Sequence, residues 1–219
     1  MTILDFYLVR HGHSFGQMAI GDGTHMHRVP IDRRPPGCET GLMEDDWRLT
    51  PLGQRQAALL GAHLARTPFD MIFCSPLERV RETAQAVIDR QPGPVPVVIP
   101  RDLMEIGDWG EETPAQAYER ARRVIEAIRE QSPAGARILV AAHAAFNNRL
   151  LTVLLGLPAL ETSFWRFAQD NTGLSRVIFS DDVPTRLYCM NDLSHLTPEV
   201  RDETVSGNMK ALYGKKEAS

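Results

Sequence analysis

The chain has 219 residues, 43% of them hydrophobic and 24% charged, with a formal net charge of −4. That is enough for one sizeable hydrophobic core, and the composition excludes a disordered chain. Lysine is confined to Lys210, Lys215 and Lys216 and no basic block precedes them, so nucleic acid is not an expected partner. Cys38, Cys74 and Cys189 form no CxxC and leave an odd count, which argues against a disulfide framework and for a reducing compartment. With no leader-like N-terminus and no window approaching a membrane span, the expectation is a cytoplasmic protein with no membrane partner.

Leu4 to Val9 is a short apolar run ending at Arg10-His11-Gly12, the pattern of a buried strand entering a loop. Residues 18–48 carry glycines, Pro30, Pro35, Pro36 and scattered charges without a sustained period, and read as a long loop or lid. Thr50-Pro51 then opens a helix, with Thr50 as cap and Pro51 in the first turn, continuing through Gln54 to Ala65. Asp70 to Cys74 is a second strand, and Ser75-Pro76 opens a helix to about Arg90. Val95 to Ile99 is a third strand. Thr113-Pro114 starts a helix to Gln131, with Tyr118, Ala121, Val124, Ile125 and Ile128 at helical spacing. Arg137 to Ala142 is a fully apolar strand followed by a helix from Phe146 to Leu155, and Leu174–Phe179 and Arg186–Met190 are two more strands. This alternation predicts an α/β fold: a three-layer α/β/α sandwich on a mainly parallel sheet of about six strands. Residues 1–200 read as a single domain and 201–219 as a polar tail.

In such sheets ligands collect where strands end and helices begin, and the chemistry-bearing residues cluster at those junctions. Arg10 and His11 end the first strand; imidazole is a competent nucleophile toward phosphorus, and a guanidinium beside it neutralises phosphoryl oxygens. Arg79 falls in the first turn of the helix after the second strand, where backbone amides also favour anions. His143 ends the strand Arg137–Ala142, and Glu105 lies in the loop after the third strand, near Asp108, Trp109, Glu111 and Glu112. Two histidines, two arginines and a carboxylate at strand ends suit phosphoryl transfer, with no metal and no cofactor required.

Several ordered motifs now coincide: Arg10-His11-Gly12, Leu49-Thr50-Pro51-Leu52-Gly53-Gln54-Arg55-Gln56-Ala57, the stretch Ser75 to Ala84, His143, and Asn191-Asp192-Leu193-Ser194-His195-Leu196. Together they resemble the histidine phosphatase superfamily, the phosphoglycerate-mutase-like group, from about Leu4 to Leu196. The resemblance implies that His11 becomes a phosphohistidine. It implies that Arg10, Arg79 and His143 bind the phosphoryl oxygens, and that Glu105 protonates the leaving oxygen and then activates water. It also points to Ser14, Gln17 and the Ala144 amide as phosphate contacts. The chain departs from the family pattern with Ala144-Ala145 in place of glycines, with His13-Ser14 after Gly12, and with Gln17 where an asparagine is usual.

Other candidates carry less. His25 and His27 lack a third ligand at a recognisable spacing and read as solvated, whereas Arg28, Arg33 and Arg34 read equally as contacts to an anionic substrate's distal groups or as a solvated loop. His63 reads as packing or surface, His195 as a structural hydrogen-bonding group, and Trp47, Trp109 and Trp165 as core or pocket lining. The expected function is hydrolysis of a small phosphorylated substrate, a phosphate monoester, by a histidine-type phosphatase. A mutase and a non-catalytic phosphate-binding protein are the alternatives; the resemblance implies a longer segment after the acidic loop in mutases, so the direct passage from Glu112 into the helix at Thr113 favours hydrolysis. Oligomeric state is left open, a homodimer included.

Overall fold

A computed structural model describes residues 3–18, 47–107, 111–160 and 167–201 of the chain. Its strands are β1 (Ile3–Arg10), β2 (Met71–Cys74), β3 (Val97–Val98), β4 (Arg137–Ala142), β5 (Leu174–Ser180) and β6 (Arg186–Asp192). The helices are α1 (Pro51–Leu64), α2 (Glu78–Ile88), α3 (Pro114–Gln131) and α4 (Ala144–Leu154). One six-stranded sheet runs in the order β3-β2-β4-β1-β5-β6. β1 to β4 are mutually parallel, β5 is antiparallel to β1, and β6 is antiparallel to β5. The sheet is therefore mixed but mostly parallel.

Strand alternation divides the core into two layers. Leu4, Phe6 and Leu8 of β1, with Ile138, Val140 and Ala142 of β4, pack with Ala121, Val124, Ile128, Phe146 and Leu150 of α3 and α4. Tyr7, Val9, Leu139 and Ala141 face the other way, onto Leu60 and Leu64 of α1 and Val80, Ala84 and Val87 of α2. Helices thus cover both faces, which is why the central strands are apolar almost throughout.

Local capping sets two of the helix starts. Thr50 Oγ1 accepts from the Gly53 N–H at 3.2 Å, with Pro51 at the first helical position. Thr113 and Gln116 exchange side-chain-to-backbone bonds in a capping box ahead of Pro114. Elsewhere the elements differ from the expectation. α2 begins at Glu78 rather than at Ser75-Pro76, because the Ser75 N–H bonds to the Ala141 carbonyl and its hydroxyl is engaged across the sheet end. α4 begins at Ala144, two residues before Phe146, and β3 shrinks to two residues at the sheet edge. The 18–48 segment, except Met18, Trp47 and Arg48, lies outside the described residues, as does the tail from residue 202.

Candidate active site

Sheet register assembles the site. Arg10 of β1 pairs with Ala142 of β4, and Cys74 of β2 with Ala141, so His11, His143 and Ser75 leave three adjacent strand ends together. The His11 N–H donates to the Ala142 carbonyl at 3.1 Å. The His11 and His143 rings stand 5.2 Å apart, centroid to centroid, at 65°.

Hydrogen bonds fix both tautomers. His11 Nδ1 lies 2.7 Å from the Gly12 carbonyl. A carbonyl only accepts, so Nδ1 carries the proton and Nε2 keeps its lone pair. His143 Nδ1 is 3.4 Å from Arg79 Nη2, and Nε2 is 2.8 Å from Ser75 Oγ. A guanidinium only donates, so Nε2 of His143 holds the proton and gives it to Ser75. Burial first, then the charges of Arg79 and Arg10, hold His11 well below the usual imidazole range. Burial, followed by Arg79, His11 and Arg10, does the same to His143. Both rings therefore stay neutral where free histidine would begin to protonate.

Positive charge and amides converge on this pair. Partly buried Arg10 donates through Nη1 to the Gln169 carbonyl at 2.7 Å. Buried Arg79 enters from the first turn of α2. The turn after His11 is tied to α2: the Gly12 N–H donates to Thr83 Oγ1 at 3.0 Å, and that hydroxyl donates to the Arg79 carbonyl at 2.7 Å. Glu105 accepts from the Ala145 and Phe146 amides at the N-terminus of α4, at 3.1 and 2.9 Å, and its charge acts on Arg10. Among the described residues nothing accepts from the Ala144 N–H, which points from the same helix end.

The structure thus brings Arg10, His11, Arg79, Glu105, His143 and Ala144 to one place. Ser14 and Gln17 are engaged differently. Gln17 Oε1 accepts from the Ser14 N–H at 3.1 Å and from Asn171 Nδ2 at 3.0 Å, while Gln17 Nε2 donates to Asn171 Oδ1 at 3.3 Å. These bonds shape the loop that follows His11. The same loop is clasped to residues 47–50: Phe15 N–H donates to the Arg48 carbonyl at 3.0 Å, Thr50 N–H to the His13 carbonyl at 2.9 Å, and Trp47 packs on Gly16.

Among the acidic candidates, Glu112 is a buried partner of Arg120, and Glu111 is exposed. Asp108 lies outside the described residues, with His25, His27, Arg28, Arg33, Arg34, Cys38, Trp109 and Trp165. His63 is exposed and stands 5.8 Å from the His195 ring, and His195 Nε2 meets Thr172 Oγ1 at 3.1 Å. No group of three or more His, Cys, Asp or Glu among the described residues is placed to hold a metal ion.

Sequence reasoning missed the floor of the site. Asn171 donates to the His11 carbonyl at 2.9 Å, and the Thr172 N–H to the Arg10 carbonyl at 3.1 Å. Thr172 holds φ at 56°, a left-handed conformation that is strained for a β-branched residue. Only the polar cluster Asp170-Asn171-Thr172-Gly173 ahead of β5 hinted at it, and such clusters read as ordinary turns.

Comparison with known proteins places this geometry in context. The model of the histidine phosphatase superfamily (branch 1) matches residues 6–111 and 107–192. Phosphoserine phosphatase 1 of Hydrogenobacter thermophilus is 26% identical over 191 residues, covering 74% of this chain and 88% of that protein. The adenosylcobalamin/alpha-ribazole phosphatase of Salmonella typhimurium is 39% identical over 61 residues, 28% of this chain and 30% of that one. The crystal structure of the alpha-ribazole phosphatase from Shigella flexneri superposes with a TM-score of 0.61 at 24% identity, over 86% of this chain and 96% of that one, which is a likeness of fold. No helix among the described residues is long and apolar enough to cross a membrane.

Proposed function

Because the chain belongs to the histidine phosphatase superfamily, we propose that it is a phosphatase that hydrolyses small phosphate monoesters through a phosphohistidine on His11, without a metal. The observation that carries this reading is the bond from His11 Nδ1 to the Gly12 carbonyl, which leaves the lone pair on Nε2, while burial and the charges of Arg79 and Arg10 favour the neutral ring. A neutral imidazole so held can attack phosphorus with no base to activate it. The charge on the transferring group is met by Arg10, Arg79 and the Ala144 N–H, which supply what a metal ion supplies elsewhere. His143, held by Ser75 and Arg79, stands beside His11 at 5.2 Å between ring centroids.

In the first step the bond from phosphorus to the ester oxygen breaks as the bond to His11 Nε2 forms. Glu105, in its protonated form, gives its proton to the departing oxygen. In the second step Glu105, now a carboxylate, takes a proton from water as that water attacks the phosphohistidine, and phosphate leaves. The related proteins named above act on phosphoserine or alpha-ribazole phosphate, so small phosphomonoesters are the class to screen.

Hydrolysis of p-nitrophenyl phosphate in the presence of EDTA, for wild type and His11→Ala, tests the reading. The expected result is turnover that survives EDTA and vanishes in the variant, with an acid-labile, alkali-stable phosphoprotein trapped in wild type alone. Activity that EDTA removes, or that His11→Ala retains, refutes it.

A further inference from the structure

Glu105 lies between the short 3-10 turn Arg101–Leu103 and α3. One buried side chain bonds to the chain on both sides of it. Arg120, in the second turn of α3, is 1% exposed. Its Nη1 donates to the Asp102 carbonyl at 2.7 Å and to the carbonyl of Met104, the residue before Glu105, at 2.9 Å. On its other side Nε donates to Glu112 Oε2 at 3.1 Å and Nη2 pairs with Glu112 Oε1, at the far end of the segment. The guanidinium carbon also lies 3.9 Å from the centroid of the Phe146 ring. The Phe146 N–H is one of the two amides that hold Glu105.

We propose that Arg120 is the positioning residue for the proton donor, an inference that rests on Glu105 having that role. Arg120 touches no substrate. It fixes the chain before Glu105, the chain after it, and the residue whose amide the carboxylate grips. The task needs the guanidinium fork, whose N–H groups point in several directions within one plane. A lysine ammonium keeps the charge opposite Glu112 but cannot also span the carbonyls of Asp102 and Met104. Proton donation requires the carboxyl to sit within hydrogen-bond reach of the leaving oxygen, and a displacement of about 1 Å is enough to impair a transfer of this kind.

The test uses the leaving group. kcat/KM contains only the steps up to leaving-group release, so it is compared for phenyl phosphate, whose phenolate needs a proton, and 2,4-dinitrophenyl phosphate, whose leaving group does not. Glu105→Gln is expected to lower the ratio of the two values about 100-fold. Arg120→Lys is expected to lower it about tenfold. Arg120→Met combined with Glu112→Gln, which leaves no buried charge unpaired, is expected to do the same and guards against a variant that merely unfolds. Equal losses on both substrates in the Arg120 variants, while Glu105→Gln still discriminates, overturn the role of Arg120 and leave Glu105 standing. Equal losses in Glu105→Gln overturn the assignment of Glu105, and the inference falls with it.

Discussion

Gly53 occupies the third position of α1, where alanine gains helix propensity worth about 0.5–1 kcal/mol. The packing predicts the opposite sign for Gly53→Ala. A Cβ at this position lies 2.0 Å from the His13 carbonyl oxygen and 2.9 Å from its carbon, so the His13 peptide must retreat by about 1 Å to reach van der Waals contact. That carbonyl accepts from the Thr50 N–H at 2.9 Å and from Thr50 Oγ1 at 3.2 Å, and both bonds stretch when it moves. Overpacking of about 1–3 kcal/mol, with about 1 kcal/mol for each buried hydrogen bond lost, outweighs the propensity gain and leaves a net loss of about 2–4 kcal/mol. In a chain of this size Tm falls by roughly 5–15 °C. His13 follows His11-Gly12 directly, so the same displacement lowers turnover about 100-fold. Scanning fluorimetry and aryl phosphate hydrolysis measure the two effects. A variant with unchanged or higher Tm and full turnover refutes the close-packing argument.

Other perturbations separate the roles of neighbouring groups. Since burial and the two arginines lower the pKa of His11, the acid limb it governs in kcat/KM lies below 6.5, the ordinary imidazole value, once the substrate's own ionisation is removed; a limb above that value contradicts the electrostatic argument. Burial and then His63 push His195 down to about 4. It binds a proton more weakly folded than unfolded, so its contribution to stability is full above its unfolded value of 6.5 and is lost as pH falls below it. Tm is expected to drop between about pH 6.5 and about pH 4, and His195→Gln to flatten that drop; an identical slope in the variant removes His195 from the account. Ser75→Ala frees the Nε2 proton of His143 and is expected to lower turnover about tenfold at a stability loss of about 1 kcal/mol, which kinetics and melting together check. Glu112→Ala leaves Arg120 buried without its counter-charge and is expected to lose about 3–5 kcal/mol of stability, whereas Glu105→Ala loses turnover with little change in Tm. Lost turnover at unchanged Tm in Glu112→Ala moves the proton donor to Glu112.

Signals carried by the chain locally were legible in advance. The apolar run Arg137–Ala142 is β4 without adjustment, and Thr113, Pro114 and Gln131 bound α3 as the capping pattern predicts. Signals that compete with tertiary contacts were not. Ser75-Pro76 has the form of a helix start, but the Ser75 hydroxyl is taken by His143 and the helix waits until Glu78. Strand direction was equally hidden: β5 has the composition of the parallel strands, and only its antiparallel register with β1 brings Asn171 and Thr172 beneath His11. Glu105 and Glu112 looked alike because their difference lies in partners elsewhere in the chain. Glu112 is claimed by Arg120, eight residues on, and Glu105 by α4.

The clasp between the loop at Ser14 and the residues around Leu49 has an evolutionary consequence. Both ends of the intervening stretch are pinned beside His11 whatever its length or composition. Doubling the length of a closed loop adds only about 0.6 kcal/mol of closure entropy, a small fraction of the stability of a domain. Insertions and deletions there leave the spacing of the two histidines untouched, because that spacing is set by the ladder joining β1 to β4. A lineage built on this frame can exchange the sequence between these two points nearly freely while the centre itself is inherited unchanged.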